Sequence, residues 1–237
     1  FREALAGGVT TVMTGPGSAN VLSGQFALLK NRPSSVDRMV MRAPAAMKAA
    51  LGENPKKAHG KARNVAPMTR MGNAALLREA LAAAANYRDR KAAGKDPEYN
   101  ARWEALLPVL SRDLPLKVHA HRADDILTAV RICREFDLRY TLEHVTEGYL
   151  VVDMLAGPEA GRLEGIVTGP LLTDRSKPEL KRADIRNPAI LAAAGLPVAI
   201  MTDHPVTPLQ YLPVTAAVAV REGMDEWAAL EAITIVP

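Results

Sequence analysis

The stretch Leu114–His144, LPLKVHAHRADDILTAVRICREFDLRYTLEH, decides how the chain is read. It opens on a short apolar run, Leu114–His119, that ends in histidine. A helical pattern follows over Ala123–Phe136, with Ile126, Ala129, Val130, Ile132, Cys133 and Phe136 on one face. A second short strand, Tyr140–Leu142, leads to His144. Strand, helix, strand is the unit of a parallel sheet, because parallel neighbours need a crossover between them.

The same rhythm continues downstream. Gly148–Leu155 reads as a helix, Gly165–Thr168 as a strand, Pro188–Ala194 as a helix and Pro197–Thr202 as a strand. Helices over Tyr211–Glu222 and Glu226–Thr234 follow. Upstream, Val9–Thr14 is a β-branched strand stopped by Gly15-Pro16-Gly17-Ser18. Val36–Met41 and Met47–Leu51 read as two more short strands, although the alanine-rich text of the second also suits a helix. Lys56–Pro67 reads as a polar, basic loop. Thr69–Lys91 reads as a long helix capped by Thr69, with Gly94 beyond its end, and Glu98–Ser111 continues helical. This alternation predicts an α/β fold, a (β/α)8 TIM-type barrel, rather than an open doubly wound sheet. A glycine-rich dinucleotide fingerprint, which would favour the open sheet, is missing.

The composition narrows the function. The chain has 237 residues, 48% of them hydrophobic and 24% charged, as in an ordinary globular protein. Thirty Lys and Arg against 26 Asp and Glu leave a formal net charge of +4. The basic excess lies in Pro55–Arg63 and Arg88–Lys95 without interleaved aromatics, which argues against a nucleic-acid partner. The apolar runs Val198–Met201 and Ala216–Val220 are too short to span a bilayer. The single cysteine, Cys133, sits on the apolar helix face and reads as core, in keeping with a reducing, cytoplasmic setting. Ser18 and Ser23 lack the context of a serine nucleophile, and Gly15–Asn20 lacks the ending of a phosphate-binding loop.

In such barrels the chemistry sits at the C-terminal ends of the strands. His119 and His121 follow one strand, His144 the next, and Asp203 and His204 the last. Imidazoles and a carboxylate converging on one mouth suit a divalent metal, zinc above all. His119, His144 and Asp203 are the expected ligands. His121 and His204 are expected to face the substrate, support the ligands or cap the strand, and Arg70 is a candidate for a substrate carboxylate beside the plainer reading as a surface arginine.

The motifs Val-His119-Ala-His121, Leu-Glu-His144 and Thr-Asp203-His204-Pro205 resemble the amidohydrolase superfamily, and within it the imidazolonepropionase-like branch near the metal-dependent prolidases. The segment Gly8–Ser18 is similar to that branch's second barrel strand, and Ala232–Pro237 to the stretch before its small β-sandwich. The resemblance implies ligand roles for His119, His144 and Asp203, with Asp203 also moving the proton of an attacking water. It implies one or two metal ions, with a Lys or Glu after the fourth strand bridging a pair. Glu53 is the candidate there, Lys48 the runner-up, and a solvated loop charge the plain alternative for Glu53.

The family's first-strand His-x-His pair does not precede Gly8. Residues 1–237 are therefore expected to be one incomplete barrel domain lacking its first strand and sandwich, weak in metal binding and inactive alone. The implied activity is hydrolysis of an amide, cyclic amide or peptide-like C–N bond in a small-molecule or dipeptide-like substrate. A degenerate metal-binding barrel and a metal-dependent lyase or isomerase are the alternatives, and a homo-oligomer is compatible with all three.

Overall fold

The computed structural model describes residues 2–237; the sequence also reads as a helix over Phe1–Gly7, and of that reading Phe1 lies outside the described residues. Seven strands form one sheet in the order of the chain. They are β1 (Thr11–Thr14), β2 (Leu22–Lys30), β3 (Val40–Ala50), β4 (Leu116–Ala120), β5 (Tyr140–His144), β6 (Leu163–Thr168) and β7 (Val198–Ile200). From β3 to β7 each strand pairs with the next in parallel. β1 pairs with β2, and β2 with β3, antiparallel. Among the described residues β1 and β7 each have one neighbour, so the sheet is an open half-barrel rather than a closed ring.

This corrects the expected layout at its N-terminal side. β2 was not anticipated: its sequence, LSGQFALLK, neither alternates nor runs apolar, because most of the strand is only half covered. Of Val36–Met41, Val36–Met39 makes one helical turn after Ser35, and only Val40 and Met41 belong to a strand, β3. Of the run Met47–Leu51, Met47–Ala50 close a strand of 11 residues that begins at Val40. Lys56–Pro67 is not all loop, since Glu53–Lys56 is helical and Lys57–Lys61 forms a π-helical turn. Glu98–Ser111 breaks into two short helices, Ala101–Glu104 and Leu107–Leu110, with Pro108 opening the second.

The parallel part follows the predicted rhythm. The helix Arg70–Ala92 is capped by Thr69, whose side chain accepts from Gly72 N at 2.9 Å. It buries Leu77, Leu81 and Ala84 completely. The helix Ala123–Glu135 lays Ile126, Ala129, Ile132 and Cys133 against Leu116, Val118 and Leu142 of the sheet in one continuous core. These apolar side chains occupy the helix-facing side of β4 and β5. The pleat then sends Lys117, His119 and Glu143 to the opposite, inner face. No helix among the described residues is long and apolar enough to cross a membrane.

Candidate active site

The inner face is unusually charged for a sheet interior. Lys48 of β3 is paired with Glu143, and Lys117 Nζ lies 3.3 Å from the other oxygen of the same carboxylate. Phe26 of β2 covers both ammonium groups, its ring centre 5.5 Å from Lys48 Nζ and 5.8 Å from Lys117 Nζ. Burial alone would raise the Glu143 carboxyl, but the charges of Lys117 and Lys48 prevail and bring it down to about 2. This ionic floor supports the strand ends above it.

Three histidines gather on that floor. His119 is the penultimate residue of β4, His121 follows the strand, and His144 ends β5. Each is 5% exposed or less. One candidate ligand atom from each lies within 4.8 Å of the others. The ring centres of His119 and His144 are 4.4 Å apart, edge to face, and those of His121 and His144 are 4.3 Å apart, stacked. The chain leaves β5 through two non-glycine residues at positive φ, His144 at 69° and Val145 at 48°. Backbone strain of this kind persists where surrounding structure fixes it and concentrates at functional sites.

The hydrogen bonds orient the rings. His144 Nδ1 donates to the Gly169 carbonyl at 2.8 Å, which leaves Nε2 as a lone pair. His121 Nδ1 lies 2.7 Å from Thr146 Oγ1. Asn54 Nδ2 lies 3.3 Å from His119 Nε2. His119 Nδ1 and His121 Nε2 are buried and have no hydrogen-bond partner. Burial pushes all three imidazoles below the ordinary histidine value; for His119 and His121 their neighbours add to this, while Asp203 and Glu143 oppose it at His144. They are therefore neutral near pH 7, the state in which imidazole binds metal. Buried, unpartnered ring nitrogens in this arrangement fit a divalent ion.

A cavity of about 630 Å³ opens beside them. His121, His144, Thr168, Arg175, Lys177 and Asp203 contribute to its wall. Asp203 follows β7, is exposed, and takes a positive φ of 50°. It shares the cavity with His121 and His144 but stands outside the tight group of three.

The other sequence candidates are placed differently. Glu53 is buried beyond the end of β3, paired with Lys57, and its Oε2 has no partner. Burial opposes its ionisation, but the Lys57 hydrogen bond and charge hold its carboxyl below the usual range. Lys48, the runner-up, is committed to Glu143. Arg70 is turned into the protein, where Nε donates to Asp125 Oδ2 at 2.9 Å, and it does not line the cavity. His204 is exposed and likewise absent from the wall. The tight cluster includes His121, which the sequence placed nearer the substrate than the metal.

Glu143, Lys117 and Glu179 were not anticipated. The first two carried a signal: opposite charges inside apolar strands at neighbouring positions need each other. Glu179 carried none, because it sits in the long connection between β6 and the helix Asn187–Ala193.

No family profile matches the chain. It is 28% identical over 260 residues to the amidohydrolase tasK of Hapsidospora irregularis, which takes in 98% of this chain and 26% of that protein. It is 42% identical to the crystal structure of an amidohydrolase from Thermotoga maritima MSB8, with a TM-score of 0.93 over 99% of this chain and 61% of that one. The chain thus spans about a quarter of the curated relative and 61% of the structural one. Sequence, fold and the buried histidines agree in what the chain is similar to, namely proteins named amidohydrolases.

Proposed function

We propose that this chain carries the hydrolytic site of a metal-dependent amidohydrolase acting on an amide, cyclic amide or peptide-like C–N bond. The observation that supports this most is the group of three buried, neutral imidazoles whose ligand atoms lie within 4.8 Å of one another. His119 and His144 would hold a divalent ion, with Asp203 and Glu53 as the carboxylates nearest in role. Zinc suits such a donor set, in one copy or two. When bound, the ion supplies Lewis acidity that activates water and polarises a carbonyl.

The residues of the chain do the rest. Asp203, exposed on the cavity wall, accepts the proton of the attacking water and returns it to the leaving nitrogen. The cavity wall orients a small or dipeptide-like substrate through Thr168, Arg175 and Lys177. The branch nearest in pattern is the imidazolonepropionase-like one, and the half-barrel is expected to be one incomplete domain of a (β/α)8 barrel. The single, buried cysteine suits a cytoplasmic protein.

The test uses the full-length protein that contains these residues. A panel of dipeptides and cyclic amides is offered to the zinc-loaded and the chelated enzyme. Hydrolysis that disappears on chelation and returns with zinc supports the reading. Hydrolysis indifferent to chelation, or none from zinc-loaded protein, contradicts it.

A further inference from the structure

Glu179 lies in the single turn Pro178–Leu180, midway along the connection from β6 to the helix Asn187–Ala193. It is only 1% exposed, which is rare for a carboxylate unless it is engaged. Its Oε2 accepts a hydrogen bond from the Glu53 backbone N–H at 2.9 Å and stands 3.9 Å from Arg70 Nη2. A Cβ added at Gly52 would come within 3.0 Å of the same oxygen and 3.1 Å of Asp125 Oδ2. Gly52 also has a φ of 85°, so glycine alone admits the carboxylates here.

The second oxygen, Oε1, has no hydrogen-bond partner. It faces His121 Nε2 across 3.6 Å, and that nitrogen has no partner either. With Thr146 at Nδ1, the His121 ring is bracketed at both nitrogens. The other two imidazoles differ. His119 keeps an unpartnered Nδ1, and His144 keeps Nε2 open because its Nδ1 is given to Gly169. The braced ring is the one that stacks on His144, at 4.3 Å between centres and 29° between planes.

We propose that Glu179 is a positioning residue that acts through His121: it holds the ring in the Nε2–H tautomer, and the ring in turn holds His144 in place for an ion. The same carboxylate fixes the start of the Glu53 turn through its backbone N–H. Its consequence for metal binding rests on the hydrolase reading above; its effect on the His121 tautomer does not. One carboxylate thereby ties the connection that carries Arg175 and Lys177 to the histidine cluster.

Two readouts on the full-length protein test this. The first is zinc affinity of the wild type, Glu179→Ala and Glu179→Gln by competition with a chromophoric chelator. Removing an outer partner of a ligand commonly weakens metal affinity about 10- to 100-fold. Glu179→Ala should fall in that range with stoichiometry kept, and Glu179→Gln, which keeps the size but offers one acceptor oxygen where Glu53 N–H and His121 Nε2–H need two, should fall with it. The second is the ¹⁵N spectrum of the metal-free protein, where His121 should shift from one tautomer to a mixture in Glu179→Ala, and toward the Nδ1–H tautomer in Glu179→Gln, whose NH2 then faces Nε2. Wild-type affinity together with an unchanged His121 spectrum in Glu179→Ala would overturn the proposal. Loss of a whole ion in both variants would overturn it too, because Glu179 would then be a ligand. If the wild type binds no zinc, the hydrolase reading fails, and the tautomer comparison alone decides the role of Glu179.

Discussion

The strand β3 passes through two different environments. Its first five residues, Val40–Pro44, are exposed, and its last six, Ala45–Ala50, are buried. Over the first part it has only the antiparallel β2 beside it; over Met47–Ala50 it also pairs with β4. The antiparallel side leaves Val40 at 40% and Met41 at 56% exposure, whereas every residue of β4 is buried. Covering helices make the difference, since a parallel strand brings its crossover helix with it and a hairpin does not. The consequence is functional. Strand ends under helices can hold unpartnered imidazoles out of water, and His119, His121 and His144 all sit there. The antiparallel side supplies a lid for the floor, Phe26, and no member of the histidine cluster.

Substitutions on the two sides should therefore separate activity from stability. The largest effect is expected at the parallel strand ends. Asp203→Asn in the full-length enzyme should lower kcat by about 10²- to 10⁴-fold, the usual contribution of a proton-transferring group. Thermal denaturation should barely change, because Asp203 is exposed. An Asp203→Asn enzyme with wild-type kcat would remove the proton-transfer role.

Next comes the floor that both sides share. Glu143→Gln leaves two buried ammonium groups without their anion. Breaking a buried pair from one side costs about 3–5 kcal/mol, which urea denaturation would read directly. A loss under about 1 kcal/mol would show that Lys48 and Lys117 are better hydrated than their burial implies.

Acid should act on the parallel side before the antiparallel one. The folded chain keeps the three imidazoles neutral, while the unfolded chain protonates them below about pH 6.5. The unfolded state then binds more protons, so stability falls as pH drops, by about 1.4 kcal/mol per pH unit for each imidazole that stays neutral. The Glu143 contribution disappears lower still, as pH falls from about 4.5 toward its folded value of about 2. Denaturation midpoints measured between pH 8 and 5 should decline in His144→Asn less steeply than in the wild type.

The smallest effects belong to the edges. Thr69→Ala should cost about 1 kcal/mol through the lost helix cap. Met41→Thr, on the exposed part of β3, should stay within about 0.5 kcal/mol and leave kcat alone.

The same contrast explains what the sequence made legible. The strands from Leu114 onward are short, apolar and spaced by amphipathic helices, so burial on both faces writes itself into the text. Histidines at their ends stand out against that background. β2 carries no such mark, because a half-covered strand with Gly24, Gln25 and a register shift near Leu28 has no single period. The alanine-rich end of β3 could be placed but not sized, since alanine suits either element. Within the site, His119 and His144 were legible as strand ends. The burial of His121 among them was not, because it depends on Thr146 and Glu179 from other segments. Arg70 stayed open between a surface arginine and a substrate contact because nothing local reveals Asp125, 55 positions away, as its partner.

The central claim is that the cluster of buried imidazoles is a metal site, with His119 and His144 as its ligands. Elemental analysis of the purified full-length protein, after dialysis against metal-free buffer, tests it most directly. The account predicts about one or two divalent ions per chain, as mono- and dinuclear hydrolase sites hold, and their loss from His119→Asn and His144→Asn. A wild-type protein with no stoichiometric ion, or histidine variants that retain the full complement, would contradict it.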